Sequence, residues 1–184
     1  MAKGVLPDSY SLRHRGLVRR DNITLDFIDK HEKNPCNILD LGIRNAISPL
    51  LEERGFKVEN TDFGQDLDLD FHQVKDEKYD VVTAFEIFEH MVAPFNLLRE
   101  IKADRLYASV PLDLWFAKAY WNDKDEWDRH YHEFEPRQFD MLLEKAGWKI
   151  MDSKKWVAKT TALGFRSILR NMANRYYLVY CERV

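Results

Sequence analysis

The run Asn37-Ile38-Leu39-Asp40-Leu41-Gly42 constrains this chain more than any other. An apolar strand that ends in an acid and then a glycine can turn sharply and bring its backbone against a ligand, with a helix N-terminus facing the same spot. Nucleotide-type ligands are held in this way. Such loops usually repeat the glycine, whereas Ile43-Arg44-Asn45-Ala46-Ile47-Ser48 follows here, so the loop is recognisable but altered.

The surrounding pattern is that of an α/β sheet. One or two amphipathic helices are expected over Ser9 to His31, with Asp21-Asn22 as a cap ahead of Ile23, Leu25, Phe27 and Ile28, lying over the edge of the ligand site. Next come a strand over 38–41, a helix over 48–54 with Pro49 in its first turn, and strands over 56–60 and 79–84. A helix over 94–101 leads to a β-rich run over 105–110 stopped by Pro111. Phe139, Leu142, Leu143 and Ala146 sit at helical spacing, and Gly147 is a natural stop before a strand over 148–152. Residues 175–181 read as a final strand. Strand and helix in alternation are the grammar of a parallel sheet. At 184 residues and 45% hydrophobic content, one domain is expected, with a helical cap over 1–35 and a core over 36–184.

A formal charge of −3 argues against a generally basic nucleic-acid binder. Acids concentrate between Glu59 and Glu89 and bases between Lys154 and Arg183, which reads as two solvated faces. Cys36 and Cys181 are too few for a disulfide framework or a cysteine metal knot. No run approaches the roughly 18 apolar residues of a membrane span. Together these features point to a cytoplasmic protein.

The order of four motifs is informative: strand-Asp40-x-Gly42, strand-Thr61-Asp62, Lys78-Tyr79-Asp80-Val81-Val82, and Ser109-Val110-Pro111. From about residue 36 to the C-terminus the chain resembles the class I S-adenosylmethionine-dependent methyltransferases, particularly small O-methyltransferases related to the ubiquinone-biosynthesis enzymes. The resemblance implies a Rossmann-like, seven-stranded, mostly parallel sheet with helices on both faces and the last strand antiparallel. The ligand would sit at the carboxyl ends of the strands. It further implies S-adenosylmethionine as cofactor and methyl transfer to an oxygen of a small-molecule acceptor.

Carried over residue by residue, Asp40 and Gly42 match the acid and first glycine of the family's cofactor loop, while Arg44 and Ala46 fall where its later glycines stand. Arg44 either obstructs the methionine portion of the cofactor or pairs with its carboxylate. Asp62 matches the acid that accepts from both ribose hydroxyls, the alternative being a turn or cap acid. Phe63 would cover the adenine. Asp70-Phe71, with Asp66-Leu67 as alternative, would hold the adenine ring, and Phe85 would line the methyl-donor pocket or belong to the core.

Glu86-Ile87-Phe88-Glu89-His90 is a second signal, because helical residues three and four apart share one face. Two carboxylates and an imidazole there either bind a divalent cation or form a base with its partner. Small-RNA 3′-terminal methyltransferases carry this pattern with a His-x-Phe-Glu segment, matched here by His132-Glu133-Phe134-Glu135. That would make a metal set of Glu86, Glu89, His90 and His132. The metal-free reading, with His90 as base and Glu89 beside it, is preferred, so no metal is assigned. His14, His31 and His72 read as surface residues.

The aromatic-rich segment between Pro111 and Pro136 is either a lid and acceptor pocket or a helix packed on the sheet. Arg13, Arg15, Arg19, Arg20, Lys154, Lys155, Arg166 and Arg170 are candidate contacts to an anionic acceptor. Two other functions stay open: a binding module that kept the fold without catalysis, motivated by Arg44 and Ala46, and a metal-dependent RNA 2′-O-methyltransferase.

Overall fold

The computed structural model describes residues 15–160 and 162–184. Its elements run α1 (Arg15–His31), β1 (Asn37–Asp40), α2 (Ile47–Glu52), β2 (Lys57–Asn60), β3 (Val81–Phe85), α3 (Pro94–Glu100), β4 (Arg105–Pro111), α4 (Pro136–Lys145), β5 (Trp148–Val157), α5 (Phe165–Met172) and β6 (Asn174–Arg183). The strands form one sheet in the order β2-β1-β3-β4-β6-β5. The first four are parallel, and β6 is inserted antiparallel between β4 and β5.

Because side chains alternate along a strand, each inner strand feeds two cores at once. Leu39, Val82, Ala84, Leu106, Ala108, Val110 and Val179 face one core with Leu97 and Leu98 of α3 and Phe139 and Leu143 of α4. Ile38, Val81, Tyr107, Leu178 and Tyr180 face the other, with Leu25, Phe27 and Ile28 of α1 and Ile47 and Leu51 of α2. Helices therefore leave β1 and β3 toward opposite faces. This opens a crevice beyond the carboxyl ends of those two strands, the place where doubly wound sheets bind ligands.

Polar clamps fix the layers. Glu32, just past α1, is buried, accepts from Tyr107 Oη at 2.9 Å and pairs with Arg105, so it ties α1 to β4. Trp148 Nε1 donates to Leu98 O at 3.0 Å, and the Arg183 guanidinium lies 4.0 Å from the Trp148 ring centroid. Asp40 is the most connected: its carboxylate accepts from Ser48 Oγ of α2 at 3.0 Å, Asn60 Nδ2 of β2 at 3.0 Å and Thr83 Oγ1 of β3 at 2.6 Å.

Several expectations need correction. Six strands are present among the described residues, not seven. Between β2 and β3 short side chains fold the chain into turns: Asp66 Oδ1 accepts from Asp68 N, and Asp70 Oδ1 from His72 N. Asp21-Asn22 does not start a helix but lies inside α1, with Asp21 buried, while residues 9–14 of the expected segment lie outside the described residues. His31 is not a free surface residue; its Nε2 meets Asp152 at 2.8 Å and its ring packs 4.6 Å from Tyr180. His72 is exposed as expected, and His14 lies outside the described residues. β5 runs on to Val157, beyond the expected 152, and α5 forms within the basic stretch where no helix is expected.

Asp40→Ala removes the shared acceptor of three donors and should destabilise the fold by about 2 to 4 kcal/mol, roughly 1 per stranded donor. Asp40→Asn keeps an acceptor oxygen and should lose less than half of that. Urea unfolding of both variants measures the difference.

Candidate functional site

β1 ends at Asp40, and Leu41 N still donates to Thr83 O at 2.8 Å, so the chain leaves the sheet only at Gly42. Gly42 has φ +92°, its N donates to Thr61 Oγ1 at 2.8 Å, and a Cβ there would lie 2.9 Å from Ile87 Cδ1. Glycine is needed on both counts: the left-handed backbone and the close approach of the loop after β3. Asp40 sits below this turn, and its carboxylate is consumed by the three donors. Burial pushes its carboxyl up from the ordinary range, and the Thr83, Ser48 and Asn60 donors hold it down. It therefore shapes the loop from beneath.

Arg44 turns outward, with Nη2 2.5 Å from Glu52 Oε2 in α2. Asp62, just past β2, is anchored by its backbone: its N donates to Gln73 Oε1 at 3.0 Å. The side chain is 71% exposed, with His72 Nε2 3.8 Å away. Phe63 is 92% exposed. Asp70 is engaged by both His72 N and Nδ1, while Phe71 packs partly against the core under Lys75. Asp68 accepts from Val92 N at 2.8 Å and Ala93 N at 2.7 Å and ties this loop to the start of α3.

Phe85 ends β3 and packs partly against the α1 side of the sheet. The following segment is not the helix the spacing suggested. Glu86 has φ +57°, and only Phe88–His90 form a single 3-10 turn, so Glu86, Glu89 and His90 do not share a helical face. The left-handed backbone at a non-glycine residue is costly and is held by Glu86 N donating to Ser109 O at 2.9 Å.

The two acids still meet. Glu86 Oε1 accepts from Ser109 Oγ at 2.8 Å, and Arg20 of α1 reaches its other oxygen at 3.6 Å. Burial raises the Glu86 carboxyl, with Arg20 opposing. Glu89 is 1% exposed, and burial followed by repulsion from Glu86 raises its carboxyl well above the ordinary range. His90 Nδ1 lies 3.1 Å from Arg129 O, a group that only accepts, so in the neutral ring the proton sits on Nδ1 and Nε2 presents its lone pair.

His132 does not join this group. Tyr131 N and His132 N both donate to Glu89 O, at 2.7 and 3.2 Å, which bends the chain at Tyr131. The His132 side chain is carried to Val92 O and against the Phe134 ring. His130 arrives instead, with its ring 4.8 Å from that of His90. Burial, then His90, hold its imidazole below the ordinary histidine value. Ligand atoms of Glu89, His90 and His130 lie within 4.8 Å of one another; Glu89 Oε2 is buried without a hydrogen-bond partner, while His130 Nδ1 faces Glu133 Oε1 at 3.5 Å. Sequence reasoning missed His130, although it stands two residues from the histidine chosen. Glu135 of the matched segment is spent on capping α4, reciprocally with Gln138.

A sequence profile described as a methyltransferase domain matches residues 13–153. The chain belongs to this methyltransferase family. Similar solved structures include an S-adenosylmethionine-dependent methyltransferase from Archaeoglobus fulgidus, with 15% identity, coverage of 89% of this chain and 94% of that one, and a TM-score of 0.59. Magnesium protoporphyrin IX methyltransferase from Synechocystis, solved with S-adenosylhomocysteine bound, shares 12% identity over 100% of this chain and 90% of its own, at a TM-score of 0.60. A methyltransferase from Mesorhizobium loti shares 12% identity over 88% and 96%, at 0.61. These likenesses show the fold. Comparison with curated protein sequences finds no match. Among the described residues of this methyltransferase, no helix is long and apolar enough to cross a membrane.

Gly42→Ala should destabilise this methyltransferase by about 1 to 3 kcal/mol, from positive φ plus the clash with Ile87. Gly64→Ala, at φ +79° with nothing within 4 Å of the added Cβ, should cost only about 1 kcal/mol. Parallel urea titrations separate conformational strain from steric contact.

Proposed function

We propose that this methyltransferase transfers the sulfonium methyl group of S-adenosylmethionine to an oxygen of a small-molecule acceptor. The observation that supports an oxygen acceptor best is His90, fixed through Nδ1 by a backbone carbonyl, partly accessible, and just beyond the carboxyl end of β3. A hydroxyl must lose its proton as it attacks, and a positioned imidazole lone pair accepts it.

The residues present fit the cofactor. Gly42 keeps the backbone clear of a side chain, Arg44 is drawn out of the loop by Glu52, and Asp62 offers two acceptor oxygens free of a close partner. Asp62 would hold the ribose hydroxyls, and Phe63 and Phe71 are the aromatic residues beside it for the base. When bound, the cofactor supplies an electrophilic methyl whose transfer removes the positive charge on sulfur. The protein's contribution is therefore mainly alignment and proton removal. His90 accepts the proton at Nε2. Glu89, a buried carboxyl 3.9 Å from that nitrogen, sets the field around it.

A second reading is supported by Glu89 Oε2, buried without a hydrogen-bond partner next to the His90 and His130 rings. A divalent cation held by Glu89, His90 and His130 would satisfy the cluster and supply Lewis acidity to the acceptor oxygen. Ligands about 2.1 Å from one ion are at most about 4.2 Å apart, so the cluster needs only a small closing shift. Two imidazoles with one carboxylate suit Mn²⁺, Fe²⁺ or Zn²⁺ better than Mg²⁺.

Asp62→Ala should weaken S-adenosylhomocysteine binding by about 1 to 3 kcal/mol in calorimetry. With radiolabelled S-adenosylmethionine and a panel of hydroxylated acceptors, His90→Ala should cut turnover about 10²- to 10⁴-fold and leave cofactor affinity intact. A chelator should have no effect if His90 acts alone. Activity lost to chelator and restored by Mn²⁺ would replace the metal-free reading with the second one. Retained turnover in His90→Ala would exclude His90 as the base.

A further inference from the structure

We propose that the acceptor carries an anionic group on a flat or apolar body, and that Lys118, Arg166 and Arg170 bind that group. The word acceptor rests on the methyl-transfer reading; the anion site itself does not. A cavity of about 480 Å³ lies between the segment after β4 and helix α5, and its lining is Trp115, Phe116, Ala117, Lys118, Arg166 and Arg170. A second cavity of about 410 Å³ shares Ala117, Lys118 and Arg170 with it and extends to Trp121 and Tyr176. The two adjoin along these shared residues and together line one groove wall.

Lys118, Arg166 and Arg170 have no acidic partner among the described residues. Arg19, Arg20 and Lys155 are occupied elsewhere: Arg19 donates to Val157 O, Arg20 faces Glu86, and Lys155 lies over the Tyr177 ring. Arg175, which lines the second cavity, is bound by Glu133 and Leu112 O. Three like charges on one small cavity repel one another, and a bound anion relieves that repulsion while using guanidinium geometry suited to phosphate or carboxylate.

The rest of the wall is aromatic. Trp115 and Phe116 meet edge to face at 5.4 Å, and Trp121 is backed by Arg129 at 5.1 Å. Such faces stack on a flat or apolar body. Thr160 N donates to Asn171 Oδ1 at 2.9 Å and Asn171 Nδ2 to Thr160 O at 3.1 Å, which ties α5 to the loop before it. At its other end the groove reaches Tyr176, whose ring lies under Arg20, the residue that reaches Glu86. An acceptor anchored by its anion at α5 thus extends toward the carboxyl end of β3. Three cations in one pocket, on a chain of net charge −3, fit a single anionic group better than a nucleic-acid backbone, which needs a basic stripe.

The test is calorimetry on the full chain, saturated with S-adenosylhomocysteine, against phenyl phosphate, benzoate, phenol and inorganic phosphate. Phenyl phosphate or benzoate should bind at least about tenfold tighter than phenol and than inorganic phosphate, the stronger of the two identifying the anion. Arg166→Glu with Arg170→Glu should remove that preference, as should the milder Arg166→Gln with Arg170→Gln if the charge reversal unfolds α5. Aryl anions binding no tighter than phenol to the native chain, or equally well to the folded double variants, would overturn the proposal. Failure of S-adenosylhomocysteine to bind while phenyl phosphate binds at these residues would sink the methyl-transfer reading and leave the anion site standing.

Discussion

The buried carboxylate of Asp40 is the constraint on which the crevice depends. Strands of a parallel sheet are held by backbone hydrogen bonds only along their paired length, and beyond the last pair they are free to splay. Asp40 closes that freedom where β1 ends, because one group accepts from Ser48, Asn60 and Thr83 and so joins α2, β2 and β3. Burying a carboxylate is expensive, and three donors are what make it tolerable. Gly42 can then turn with a fixed floor beneath it and the Ile87 side chain in front.

A second electrostatic cost sits at the end of β3. Glu89 is removed from water and Glu86 largely so, and the two repel each other, while Arg20 pairs with Glu86 and Arg175 offsets the charge from farther away. Glu86 also holds a left-handed backbone. Backbone strain and desolvated carboxyl groups coincide here beside His90 and His130, which is the physical reason this end of the sheet is the candidate site. Glu89 has a dual role: its side chain faces the histidines, and its carbonyl bends the chain at Tyr131 and so decides which histidine arrives.

The acceptor side is built differently. The segment between β4 and α4 has little regular structure and exposes Trp115, Trp121 and Trp127, whereas α5 is short and carries its basic residues toward the same groove. The glycine turn stands on an inner strand of the sheet, whereas the groove proposed for the acceptor is built from an aromatic loop and α5. This division places specificity on segments that can vary without disturbing the core.

By itself the sequence determined the alternation of strands and helices, because apolar runs such as Val81 to Phe85 and the helical spacing of Phe139, Leu142 and Leu143 are local signals. It also determined the glycine turn after β1 and the acid after β2. Helix α5 was legible in the spacing of Phe165, Ile168, Leu169 and Met172 but was masked by the basic residues between them. Tertiary structure alone decided that Asp40 serves three neighbours, since Thr83 and Ser48 are ordinary polar residues until the fold brings them to it. It alone placed His130 rather than His132 at the site, and gathered Lys118 with Arg166 and Arg170 from segments nearly fifty residues apart. The physical reason is the same throughout: secondary structure follows from backbone geometry and local periodicity, whereas partners of a buried charge are chosen by desolvation, which exists only once the layers have closed.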